Sequence, residues 1–205
     1  MRRRGHGCGL VLVLLAAAAA WARFGLYPFL ARTAPVPADT LVVEGWVVDE
    51  QLAKAAAWAE ANGVKKIIAT GGPIELGSYL TEYKTYAEMT RARLAALGLG
   101  EKFELAAVPA EKVRQGRTRE SARALQAAAG AELRAFNVAS EGPHTRRSWR
   151  AFRDVFGEGA AVGSVALEPS VYNGDDWWTC SEGVRSVISE TVAFGYDAVA
   201  GGEGN

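Results

Sequence analysis

From residue 40 onward, short apolar runs of strand length alternate with longer stretches of helical periodicity, and this alternation constrains the fold more than any other feature. Leu41-Val42-Val43 is a continuous apolar run ending at Glu44-Gly45, the pattern of a strand buried on both faces. A helix follows, with Asp49 as its expected cap, Leu52, Ala55, Ala56 and Ala59 on its apolar face and Asn62-Gly63 as its stop. Lys66–Thr70 reads as the second strand, closed by Gly71-Gly72-Pro73. Ser78 is the expected cap of a long helix from about Tyr79 to Leu97, ended by Gly98. Phe103–Val108 is the third predicted strand, and Thr118 opens a helix that runs through Ala129 and stops at Gly130. Phe136–Ser140 is the fourth strand. Pro143 suits the first turn of the next helix, which carries Trp149, Phe152 and Phe156 on one face and Arg146, Arg150 and Arg153 on another. Ala161–Leu167 is the fifth strand. Thr179 and Glu182 have capping-box spacing, and Val184, Val187, Ile188, Thr191 and Val192 follow at core spacing on the last helix.

Strand, helix, strand, helix over this length implies an α/β domain of the Rossmann-like type: an open, mainly parallel sheet with helices on both faces. Val43, Ile68, Val138 and Val165 are then expected on four separate parallel strands. The chain has 205 residues, of which 49% are hydrophobic, enough for one domain with a core that needs neither disulfide nor metal. The formal net charge is zero, so the chain lacks the basic footprint of a general nucleic-acid binder. The two cysteines, Cys8 and Cys180, have no spacing that suggests a disulfide framework or a zinc site. Cys180 reads as a small buried hydrophobe.

Before the domain lies a hydrophobic segment with a basic start. Arg2-Arg3-Arg4 precedes the apolar stretch Gly9–Ala22; Arg23 and a second apolar stretch, Phe24–Ala31, follow. The positive-inside rule places such an N-terminus in the cytoplasm and the remainder outside it. The expected organisation is a membrane anchor or signal segment over 1–32, a stiff Pro-containing linker over 33–39, the α/β domain over 40–198 and a flexible tail over 199–205. An uncleaved single-pass anchor in the cytoplasmic membrane is the first reading. A signal peptide cleaved near Ala20-Trp21-Ala22, releasing a periplasmic or secreted protein, is the alternative.

Open parallel sheets bind ligands beyond the carboxyl ends of their strands, which sorts the polar residues. Glu44-Gly45-Trp46, Thr70-Gly71-Gly72 and Ser140 through His144 all follow predicted strands, and Arg117-Thr118 opens a helix after one. Glycines there let backbone N–H groups approach a ligand, and a helix start favours an anion; singly, each glycine can equally be a plain turn. His144 is the only histidine of the predicted domain and titrates near neutral pH, as a general acid or base must. Without a second His or a Cys partner it implies no metal site. No G-x-S-x-G elbow surrounds Ser140, so a serine-hydrolase triad has little support. Glu44 ends a buried strand and needs a partner, for which Arg117 and Arg147 are candidates. Trp177 and Trp178 read as packing under the last helix, and Arg146, Arg150 and Arg153 as a solvated face.

Taken in order, Leu41-Val42-Val43-Glu44-Gly45-Trp46, Thr70-Gly71-Gly72, Arg117-Thr118 with Ser121-Ala122, Ser140 with His144-x-Arg146-Arg147, Trp177-Trp178 and Ser181-Glu182-Gly183-Val184-Arg185 resemble the YdcF-like family, which includes the SanA and ElyC envelope proteins. The resemblance spans about residues 40 to 196. It implies a Rossmann-like domain behind an N-terminal membrane segment and a part in cell-envelope barrier function and peptidoglycan assembly; it does not imply a particular reaction or cofactor. The chain departs from the family pattern at Glu44-Gly45-Trp46, where many members have a glycine-rich turn. It departs again at Thr118-Arg119-Glu120-Ser121, where Thr-x-Glu-Asn is common. Together these readings give an expected site with His144 and Glu44 as its chemical residues. Gly45, Trp46, Thr70, Gly71, Gly72, Arg117, Thr118, Ser140 and Arg147 would line it. The expected partner is an anionic small molecule or lipid-linked intermediate. A non-catalytic binding or scaffold module that regulates envelope enzymes is the alternative.

Overall fold

The structure is a computed structural model that describes residues 5–200. Arg2-Arg3-Arg4 and the tail 201–205 lie outside the described residues, as do the side chains of 5–8, Cys8 among them. Five strands form one all-parallel sheet: β1 (Thr40–Glu44), β2 (Lys66–Gly71), β3 (Glu104–Pro109), β4 (Ala135–Glu141) and β5 (Ala161–Leu167), in the order β3-β2-β1-β4-β5. This is the α/β architecture that the alternation implies, with Val43, Ile68, Val138 and Val165 on four separate strands. Central β1 is buried at all five positions, as its uninterrupted apolar run requires. The chain leaves β1 toward β2 on one side and later returns to its other side as β4. That reversal opens a crevice at the carboxyl ends of β1 and β4.

The pleat sends neighbours to opposite faces. Leu41 and Val43 pack with Leu52, Ala55 and Ala59 of α3 (Asp49–Ala61) and Leu94 of α4 (Tyr86–Ala96). Val42 and Ile68 pack on the other face with Ala122 and Leu125 of α5 (Arg117–Ala129) and Phe152 and Phe156 of α6 (Thr145–Phe156). A third cluster joins Leu26 and Leu30 of α2 (Leu26–Leu30) to Trp177 and to Val187 of α7 (Ser181–Ala200), with Trp178 packed against it.

Several local expectations are corrected. The long helix expected from Tyr79 is a 3₁₀ turn, Ser78–Leu80, followed by extended chain; α4 begins at Tyr86. A stronger signal sits downstream of Ser78. Thr85 Oγ1 accepts from Glu88 N at 3.2 Å, and Glu88 Oε2 accepts from Thr85 N at 2.9 Å, a complete capping box. Thr85→Ala should therefore cost about 1 kcal/mol of stability; urea unfolding measures it, and an unchanged midpoint would contradict the role given to this cap. Asp49 is the first residue of α3, not its cap, and pairs with Arg93 at 2.7 Å. Thr118 is likewise inside α5, whose flanking residue is Gly116. Thr179 Oγ1 donates to Asp176 O instead of capping α7, and Gly183 N instead donates to Cys180 Sγ. On α7 only Val187 of the expected core set is buried. Val184, Ile188 and Val192 face outward, because the helix lies at the margin of the domain.

The N-terminal part divides at Phe24. α1 (Gly5–Phe24) exposes Leu10 through Leu15, whereas Leu26 and Leu30 are buried in the domain. Among the described residues no helix is long and apolar enough to cross a membrane. Residues 33–36 are docked on β5: Ala34 bridges Ser164, and the buried Asn137 side chain donates to Val36 O at 2.9 Å and accepts from Val36 N at 2.8 Å.

Candidate functional site

Four elements converge on the β1/β4 crevice. Glu44 is the last residue of β1, and its side chain is 4% exposed. Ser140 of β4 and Ser148 of α6 donate hydroxyl hydrogens to Glu44 Oε2, the second at 2.6 Å. The residues between them form the 3₁₀ turn Gly142–His144, with Pro143 in its first turn as the sequence suggests. The turn leads into α6 and holds His144 over the crevice. His144 Nε2 lies 3.7 Å from Glu44 Oε2, and Nδ1 lies 3.0 Å from Glu190 Oε1 of α7. Arg147 Nε donates to Glu190 Oε2 at 3.0 Å, and its guanidinium reaches Asp197 at 3.6 Å. Trp46 stands edge-on to the His144 ring, 5.1 Å between centroids.

The charges are mutually consistent. Burial alone would lower the His144 pKa; Glu44 and Glu190 outweigh burial and hold it above the usual histidine value, against opposition from Arg147. Burial would raise Glu190, but its hydrogen bonds with His144 and Arg147 bring it down to about 2. The sign of the linkage follows. The His144 contribution to stability is complete below the unfolded value of about 6.5 and lost as pH rises through the elevated folded value. The Glu190 contribution is complete above about 4.3 in the unfolded reference and lost as pH falls toward 2. Stability should therefore fall between pH 6 and 9 by more in the wild type than in His144→Gln. Denaturant titrations at the two pH values measure this difference, and parallel profiles would exclude a raised histidine.

A cavity of about 870 Å³ opens above these groups. Of the residues expected at the site, Glu44, Trp46, Thr70, Gly71, Gly72, Arg117, Thr118, His144 and Arg147 line it. Gly45 and Ser140 do not. Ser140 is buried beneath Glu44, and Gly45 is a packing residue. Its N–H donates to Thr70 O at 2.7 Å, and a Cβ there would lie 2.7 Å from Tyr86 O. Neither arginine expected to pair with Glu44 does so. Arg147 is held by Glu190 and Asp197, and Arg117 reaches Glu75 at 3.5 Å on the surface. The serines take their place: two hydroxyls donate to Oε2 of the buried carboxylate, and His144 is the titratable group beside it.

Sequence reasoning missed Ser148, Glu190 and Asp197. Glu190 had one available signal: it lies three residues after Val187 and four before Phe194, so a carboxylate occupies the inward stripe of α7. The cavity is also lined by Arg114, Arg117, Thr118 and Arg119 around the start of α5, which no side chain caps. Among the described residues, Arg114 and Arg150 line the cavity without a carboxylate partner within 4.0 Å. Arg150 instead lies over Phe194, so it is not a freely solvated charge, and Arg146 lies over Phe29. Among the described residues no group of three or more His, Cys, Asp and Glu side chains could hold a metal ion. No protein-family model matches the chain, and no curated protein matches it.

Proposed function

We propose that this is a cell-envelope biogenesis protein, anchored through its N-terminal segment, whose cavity binds an anionic, phosphate-bearing small molecule or lipid-linked intermediate. One observation carries the reading. His144, its pKa raised by the carboxylates that brace it, lines a cavity that also holds the uncapped start of α5 and Arg114, which has no carboxylate partner within 4.0 Å among the described residues. In this reading His144 is the acid that meets the anion, and Glu44 exchanges the proton or orients the ligand. The Gly71-Gly72 backbone, Thr118, Arg117 and Arg114 hold the charge. Arg147 braces Glu190 more than it offers a free guanidinium. The envelope context and the extracytoplasmic side rest on the YdcF-like resemblance and on the basic, apolar N-terminus.

Thermal or chemical denaturation of the full chain with inorganic pyrophosphate, a nucleoside diphosphate and an alkyl phosphate tests the reading. A ligand at ~100 times its dissociation constant stabilises by about 2.7 kcal/mol; no stabilisation by any of the three would reject an anion site. A scaffold reading has its own support in the outward Val184, Ile188 and Val192 of α7, an apolar stripe free to meet another protein. It expects alanine substitutions on that stripe, and not at His144, to abolish function in complementation.

A further inference from the structure

We propose that Glu190 is a positioning residue that fixes His144 as the Nδ1–H tautomer, leaving Nε2 as the atom that exchanges a proton with a cavity ligand. The geometry around Nδ1 decides between two arrangements. Nδ1 lies 3.0 Å from Glu190 Oε1 and 3.0 Å from Arg147 Nη2, which itself lies 3.3 Å from the same carboxylate oxygen. A bare Nδ1 could accept from Arg147. Its lone pair would then face the lone pairs of Oε1 at 3.0 Å, two acceptors with no hydrogen between them. With the hydrogen on Nδ1, His144 and Arg147 both donate to Oε1 while Arg147 Nε donates to Oε2; the two donors stand 3.0 Å apart but share one carboxylate oxygen that attracts both. A flip of the ring would turn carbon toward Glu190 and lose that bond.

The remaining charges near the ring agree with this arrangement. Glu44 approaches from β1 on the Nε2 side, Glu190 and Asp197 come from α7, Arg147 from α6, and Glu141 from the end of β4. The raised His144 pKa adds support, since it fits a ring held between two carboxylates. Glu190 is in turn held in place: Val187 on the same stripe is fully buried, and Phe194 packs edge-on against Phe29 at 5.4 Å. The consequence is chemical economy. When the imidazolium gives its Nε2 proton to a ligand oxygen, the neutral ring that remains already carries its hydrogen on Nδ1, so no second proton moves. The proton-exchange role rests on the reading of His144 given above; the tautomer does not.

Nitrogen NMR of the full chain, labelled with ¹⁵N-histidine in detergent solution, tests this. The chain has two histidines, His6 and His144, and the signal lost in His144→Gln assigns the second. Above its titration midpoint, wild-type His144 should show a protonated Nδ1 and a bare Nε2. In Glu190→Gln the midpoint should fall by more than about one pH unit, a tenfold loss of proton affinity. Glu190→Asp should recover part of that shift. A wild-type ring protonated on Nε2 and bare on Nδ1 overturns the proposal without any variant, and so does an unmoved midpoint in Glu190→Gln. Pyrophosphate added to the wild-type sample separates the two layers. A perturbed Nε2 signal supports the exchange role; pyrophosphate that stabilises the chain yet leaves Nε2 unmoved overturns that role while the anion site stands, whatever the tautomer.

Discussion

Truncating Phe152 to alanine is expected to destabilise the domain by about 3–5 kcal/mol. The side chain is fully buried where α6 meets the sheet, and its ring packs edge-on to Phe136 with centroids 6.1 Å apart. Val42, Ile68, Ala122, Leu125 and Val138 complete the enclosure. These neighbours belong to four strands and helices whose backbone positions are set by other contacts, so they cannot collapse into the void. Native domains are stable by only about 5–15 kcal/mol, so this one cavity removes a large share. The melting temperature should drop by roughly 6–20 °C at about 2–4 °C per kcal/mol. Ile188→Ala is the matching control. Its side chain is 49% exposed on α7, so the change should stay within about 0.5 kcal/mol. A Phe152→Ala protein that melts with the wild type would show that the packing of α6 against the sheet contributes little.

That contrast also marks what the sequence made legible. Buried strands are the clearest case. Leu41-Val42-Val43 and Ile67-Ile68-Ala69 are too apolar and too short for anything but the inside of a parallel sheet, and both are there. The ends of those strands then located the cavity, because topology alone puts Glu44, Gly71 and His144 at one edge. Helix starts were less legible, since a Ser, Thr or Asp near a helix competes with others of its kind. Ser78 lost to Thr85, whose partner Glu88 completes the box. The α7 stripe misled for a different reason. Periodicity shows that Val184, Ile188 and Val192 share a face; it does not show that this face is the inner one. The inner face is marked by Val187, Glu190 and Phe194, and its carboxylate meets His144 across a sequence separation of 46 residues, which no sequence motif spans. Pairings such as Glu44 with Ser148 depend on side-chain reach across the crevice, which no single-chain pattern encodes.

Replacing His144 by glutamine is expected to weaken binding of pyrophosphate or a related anion by roughly 10- to 150-fold. That corresponds to a charge-assisted hydrogen bond of about 1.5–3 kcal/mol. If the ligand is also turned over, the loss in rate should reach about 10²- to 10⁴-fold, the usual worth of a placed acid or base. Glutamine keeps much of the volume and can still donate a hydrogen bond, so the comparison isolates the charge and the titratable proton. The fold should survive, although not because the residue is loosely placed: the His144 side chain is only 13% exposed and lies between two carboxylates. It should survive because neither carboxylate is orphaned. Glu44 keeps Ser140 and Ser148, and Glu190 keeps Arg147 on both of its oxygens. The buried charge that would make such a substitution ruinous is therefore still paired on each side. Titration calorimetry with pyrophosphate, urea unfolding at pH 6 and complementation of a strain lacking the protein, run on the same variant, check the three parts. A His144→Gln protein that folds, binds pyrophosphate as tightly as the wild type and complements fully would reduce His144 to a structural link between α6 and α7, and would leave the α7 surface as the place to look for function.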